Sequence, residues 1–167
     1  MQEWLTEALV LDKEDSGELD SRVFFYTKEL GKIIARATSA RKITSKLNSH
    51  IEPLNLVKLR LVGERNFQIA DALAVNKFPY QVLPLLSFIK EMTLEGEADE
   101  RLWLAVKSNL ATGKIDYKPL LTILGFDPQF ASCLFCGRRP EYFETREMAF
   151  CCQSCLPASS LLSAYRL

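Results

Sequence analysis

The first 75 residues carry apolar and β-branched side chains in short runs, and the spacing changes after Phe78. Trp4 to Leu11 is a β-prone run that ends in the acidic, glycine-containing turn Asp12 to Gly17. Arg22 to Thr27 is a compact aromatic and β-branched run, closed by a turn at Glu29-Leu30-Gly31. Lys32 to Ala37 follows, then Leu54 to Val62, whose alternation sets Asn55, Lys58 and Arg60 at or near the solvent side. Phe67 to Val75 supplies a fifth run. Five short strands separated by turn signals predict a small closed barrel. Thr38 to His50 is too long for a hairpin connection and reads as a loop or short helix.

From Phe78 the apolar positions Val82, Leu83, Leu86, Ile89 and Met92 recur at three- and four-residue spacing, the stripe of a core-facing helix. Pro84 fits only the first turn, so the regular helix is expected from Leu83. Leu102, Trp103, Val106 and Leu110 form a second stripe, stopped by Gly113. Asp116 can cap a third helix that runs to Leu124 and stops at Gly125. A closing helix is expected over Ala158 to Tyr165. The boundary between the two grammars falls at Asn76-Lys77, giving an N-terminal domain over residues 1–76 and a helical domain over residues 77–167.

Four cysteines add chemistry to this outline. Cys133 and Cys136 form one C-x-x-C pair, Cys152 and Cys155 a second, with fifteen residues between them. Each pair offers two thiolates from one tight turn, and two such turns close a tetrahedral S₄ site, the usual shell of one structural zinc ion. Such a shell leaves no open position for water, so the metal would hold structure and not perform chemistry. Cys151 is the alternative third ligand in a C-x₃-C arrangement; with Cys152 in that role it reads as a small buried hydrophobe. Gly137 follows the first pair, where such a turn favours positive φ.

Composition is ordinary for a globular protein, at 48% hydrophobic and 25% charged residues with zero net charge. No run approaches a membrane span and no secretory signal pattern opens the chain, which with thiolate ligands points to a cytoplasmic, reducing setting. Charge is unevenly spread: Lys28 to Arg65 holds nine basic residues against three acids. Such polarity can draw a polyanion to one side of a neutral protein, although a solvated charged face has the same signature. No phosphate-binding glycine loop, nucleophile elbow or catalytic constellation is present, so a non-enzymatic role is expected. His50, the chain's one histidine, reads as a loop residue, and Glu18 and Asp20 as a solvated acidic turn.

The order Ala8-Leu9-Val10-Leu11, Glu18, Thr27, Leu30-Gly31-Lys32, Ala35-Arg36-Ala37, Arg41-Lys42, Ser45-Lys46-Leu47 and Glu52-Pro53-Leu54-Asn55-Leu56 resembles the OB-fold domain of the bacterial recombination-mediator family RecO. Leu120 to Pro128, followed after four residues by Cys133-Leu134-Phe135-Cys136-Gly137, resembles a second stretch of the same family. Ser39 and Met148-Ala149 stand where relatives usually carry glycine, and the segment Phe78 to Ala131 is shorter than the usual helical domain. The resemblance implies an α+β protein: an N-terminal five-stranded OB-fold barrel, then a small helical domain with a four-cysteine zinc module at 133–155. It further implies a nucleoid-associated protein that binds single- and double-stranded DNA and anneals complementary strands. Such proteins partner with RecR and help RecA replace single-stranded DNA-binding protein (SSB) during repair.

OB-folds bind nucleic acid by joining a basic track to aromatic platforms on a strand face. Here the track would be Lys32, Arg36, Arg41, Lys42, Lys46, Lys58 and Arg60, with at most one of Phe24, Phe25 and Tyr26 free to stack. A zinc-stabilised protein–protein adaptor and an RNA-binding zinc protein are the competing readings.

Overall fold

The computed structural model describes residues 2–167. Five strands come first: β1 (Glu3–Ser16), β2 (Asp20–Thr27), β3 (Gly31–Ala37), β4 (Asn55–Val62) and β5 (Phe67–Lys77). They close into a barrel in the order β1-β2-β3-β5-β4. All neighbouring pairs are antiparallel except β3 and β5, which meet in parallel at Ala35–Phe67 and Arg36–Gln68. This is the expected five-stranded OB-type barrel.

One long strand makes the closure possible. The first half of β1 pairs with β4 and its second half with β2, and the register shifts between Val10 and Asp12. Such a bulge bends and twists a strand, so one segment can serve two sides of a small barrel. Alternate side chains, including Val10, Val23, Phe25, Ile33, Leu59 and Leu61, point inward and fill the interior. Gly31 opens β3 with φ +65°, and a Cβ there would collide with the Glu97 backbone carbonyl. Only glycine fits that turn.

Helix α1 (Leu83–Met92) has Pro84 in its first turn, as expected, and packs on β1 and β2. Its cover explains why Ala8, Leu9, Val10 and Leu11 are buried without alternation. Helices α2 (Glu100–Thr112) and α3 (Tyr117–Ile123) follow; the Asp116 carboxylate accepts from the Lys118 N–H and caps α3. The chain divides into two compact units, one reaching Trp103 and the other Leu104–Leu167.

The second unit holds a feature the periodicity does not foresee. Three short strands, β6 (Tyr142–Glu144), β7 (Ala149–Cys151) and β8 (Ala164–Arg166), form a sheet in the order β7-β6-β8. The closing helix expected over Ala158 to Tyr165 is therefore corrected to a 3₁₀ turn, Ala158–Ser160, followed by β8. Phe143 anchors this unit, with ring centroids 5.0 Å from both Phe126 and Phe150. Among the described residues no helix is long and apolar enough to cross a membrane.

Candidate metal centre and nucleic-acid interface

The sulfurs of Cys133, Cys136, Cys152 and Cys155 all lie within 4.8 Å of one another. Tetrahedral zinc with bonds of about 2.3 Å sets its sulfurs roughly 3.8 Å apart, and the Cys136 and Cys152 sulfurs are 3.6 Å apart. Cys152 is in this group, and Cys151 lies outside it as a buried residue of β7. The first turn is held by the Gly137 N–H donating to the Cys133 carbonyl at 2.9 Å, with Gly137 at φ +70°. The Leu134 N–H donates to the Phe150 carbonyl, which fastens that turn to β7.

The surroundings favour thiolate on one side of the cluster. The Cys152 N–H, then those of Cys136 and Phe135, donate to the Cys133 sulfur and draw its pKa down to about 6. Arg138, with Nε 3.4 Å from the Cys136 sulfur, lowers Cys136. Cys155 is pushed up to about 12, first by Cys152 and Cys136 beside it. Four sulfurs this close carry mutual repulsion once ionised, which a divalent cation at their centre offsets. The donor set fits a metal ion.

The basic residues fall in three places. Arg36 lies on the outer face of β3, held by the Asp20 carboxylate; Asp20 also accepts from the Ser39 N–H at 2.7 Å. That backbone bond and then Arg36 keep the Asp20 carboxyl below its usual range. Lys32 is half buried, and its ammonium donates to the Lys90 carbonyl at 2.8 Å. Desolvation lowers its pKa.

Arg41, Lys42 and Lys46 stand exposed on turns of the β3–β4 loop, which contains no helix. Arg41 approaches Asp15 at 3.4 Å; Lys42 and Lys46 make no ion pair among the described residues. Lys58 and Arg60 lie on β4, separated from β3 by β5, in rows with Glu7 and Asp71.

One sequence expectation changes here and two become specific. Asn55 is buried: its amide donates to the Ser49 and His50 carbonyls at 3.0 Å each. His50 is an acceptor, taking the Ala74 N–H on Nδ1 at 3.1 Å. No stacking platform comes from β2, because Phe25 points into the barrel while Phe24 and Tyr26 are only 8% and 1% exposed. Lys90 of α1 lies 4.0 Å over the Phe24 ring, and Trp103 packs 6.0 Å from Tyr26.

Two arginines escaped the sequence reading. Arg22 pairs across from Arg36 on β2, and Arg65 comes from the β4–β5 loop; with Arg36 they border a cavity of about 530 Å³. Strand alternation could have located Arg22, whereas Arg65 reaches the group only through the parallel β3–β5 contact.

Residues 1–76 match the family model described as the N-terminal domain of recombination protein O. The barrel matches this family's N-terminal domain, and the chain as a whole is similar to RecO proteins. The DNA repair protein RecO of Alkaliphilus metalliredigens is 26% identical over 90% of this chain and 71% of its own length. Its namesakes from a Thermoanaerobacter species and Myxococcus xanthus are each 27% identical over 90% of this chain, covering 70% and 72% of their lengths. The alignments thus run through both compact units of this chain. The family model is one of recombination proteins, and these relatives are DNA repair proteins by name.

Proposed function

We propose that this chain is a RecO-type recombination mediator whose barrel, residues 1–76, binds and anneals single-stranded DNA. In this reading it assists RecA loading on SSB-coated strands, with RecR as partner, in the cytoplasm near the nucleoid. The observation that carries the reading is the family match, which covers the barrel bearing the exposed cations. Annealing needs no catalytic group: neutralised phosphates lower the repulsion between two strands, and base pairing supplies the rest. One structural zinc ion bound by Cys133, Cys136, Cys152 and Cys155 completes the molecule.

Salt dependence tests the binding. With about five phosphates neutralised, log K should fall with log salt at a slope near −3.5. Replacing Arg41, Lys42 and Lys46 by alanine should flatten that slope; an unchanged slope moves the contact elsewhere. Annealing of complementary oligonucleotides, with and without SSB, tests the mediator role.

The adaptor reading keeps one specific support. Leu5, Leu73 and Val75 are exposed on β1 and β5, on the strands that flank Lys58 and Arg60 of β4. Salt-insensitive binding to RecR without DNA would favour it.

A further inference from the structure

We propose that Arg22, Arg36 and Arg65 seat phosphate at the mouth of a pocket that takes one unstacked base, so that the barrel prefers single strands to duplex. This rests on the DNA-binding reading above and names where and how the strand is held. Two cavities carry it. The one bordered by the three arginines, about 530 Å³, adjoins a second of about 420 Å³, and both are lined by Ile34, Arg65, Phe67 and Glu95. Each lies within the ~300–1,000 Å³ range of small-ligand sites.

The arginines form an anion seat by position. Arg22 and Arg36 are directly opposite each other on β2 and β3, and like charges so placed destabilise a sheet. Asp20 holds Arg36, and the Arg22 guanidinium lies 5.7 Å over the Phe24 ring, which leaves its charge uncompensated by any carboxylate within ion-pair distance among the described residues. Arg65 is exposed on the facing loop, likewise without such a partner. An arriving phosphate relieves that repulsion and accepts from several guanidinium N–H groups.

Behind the arginines the lining turns apolar. Phe67 borders both cavities and Trp4 the second; the Trp4 indole N–H is fixed on the Gly63 carbonyl at 3.2 Å. An unstacked base can lie against Phe67, a contact indifferent to base identity. A duplex keeps its bases in the stack and brings only phosphates. Beyond the shared lining, which includes Glu95, the second cavity adds the carboxylates of Glu29 and Glu64. Their charge repels the next phosphate, so the strand leaves the surface there and the pocket holds the end of the track, not its middle. The β2 aromatics take no part, since α1 and Trp103 cover them.

Fluorescence anisotropy with labelled dT15, the same oligonucleotide with abasic sites, and a hairpin duplex tests this in the full chain. Wild type should bind dT15 at least tenfold more tightly than the duplex. The double variant Arg22→Ala/Arg65→Ala should lose at least tenfold on dT15 and shrink the salt slope by about 1.4, for two single-strand phosphate contacts. Phe67→Leu should weaken dT15 by ~5-fold or more, the low end of one lost stacking contact, and leave the abasic strand unchanged. Glu95→Gln, a surface change that keeps the fold, should tighten dT15. Salt-sensitive binding by wild type that survives in the double variant and in Glu95→Gln unchanged overturns the pocket and leaves the DNA-binding reading standing. Equal affinity for duplex and dT15 overturns the strand preference. Displacement of bound dT15 by poly-glutamate at lower concentration than by unlabelled dT15 makes the seat a protein-docking site instead. No binding of any DNA by wild type removes both readings together.

Discussion

At the scale of single residues, two positions where the resemblance leads one to expect glycine keep a glycine-like backbone. Ser39 has φ +55° and Met148 φ +49°. A left-handed conformation costs an ordinary L-residue roughly 1–2 kcal/mol, and glycine avoids most of it while adding some unfolded-state entropy. Ser39→Gly and Met148→Gly are each expected to stabilise the protein by about 0.5–1 kcal/mol, read as a shift of the denaturant midpoint at unchanged slope. Asp20, which receives the Ser39 N–H, supplies a pH test. Its folded-state carboxyl lies below the ordinary 3.8, so the folded chain binds that proton less readily than the unfolded chain. Its contribution is present above pH 3.8 and is lost as pH falls through the lower folded value. NMR titration should show an Asp20 midpoint below 3.8, moving upward in Arg36→Ala but staying depressed by the Ser39 bond. Residue chemistry was thus only partly legible: the cation positions could be read, but whether Arg36 faces Asp20 or a phosphate depends on a carboxylate sixteen residues away.

At the scale of elements, strands and helices with clear periodicity were legible because each buries a face wide enough to leave a repeat, except that β1 continues to Ser16 through the stretch Asp12 to Gly17 read as a turn. The sheet β7-β6-β8 was not, since three-residue strands carry no measurable period and β8 exists only by pairing with β6. The Ser-rich run before it has the composition of a frayed helix, and tertiary pairing overrides that. The alternation of β4 likewise misplaced Asn55, whose first-position side chain turns inward to hold the β3–β4 loop. This loop carries Arg41, Lys42 and Lys46, and it is tied down at several points. Asn55 bonds two of its carbonyls, His50 accepts from β5, and Lys13 contacts Glu52 at 2.5 Å and Asn48 at 2.6 Å. Asn55→Ala removes two buried bonds and leaves both carbonyls without that donor, so a loss of roughly 1–3 kcal/mol is expected. Hydrogen exchange should show the loss first as faster exchange across residues 47–54. Uniform acceleration over the whole barrel would mean that Asn55 supports the core and not the loop.

At the scale of the whole molecule, two different physical sources maintain the two units. The barrel has a continuous apolar interior closed by main-chain pairing on every strand, which needs no ligand. The unit Leu104–Leu167 relies on short helices and three-residue strands, and few main-chain bonds, such as Leu134 to Phe150, tie its two cysteine turns together besides the sulfur cluster. A unit this small is stabilised only marginally by its own core, and a structural metal is a common supplement. Zinc in such modules contributes apparent free energies of ~10 kcal/mol or more at neutral pH. Chelation is therefore expected to act unevenly. Native-state hydrogen exchange after metal removal should show residues 133–166 losing protection while β1 to β5 keep theirs, and readdition of zinc should restore it. Cys152→Ser should reproduce the chelated pattern without chelator, whereas Cys151→Ser should not, because Cys151 lies outside the sulfur cluster. Metal analysis giving well under one zinc per chain, with protection of 133–166 unchanged by chelator, would show that the four sulfurs are packed together without an ion.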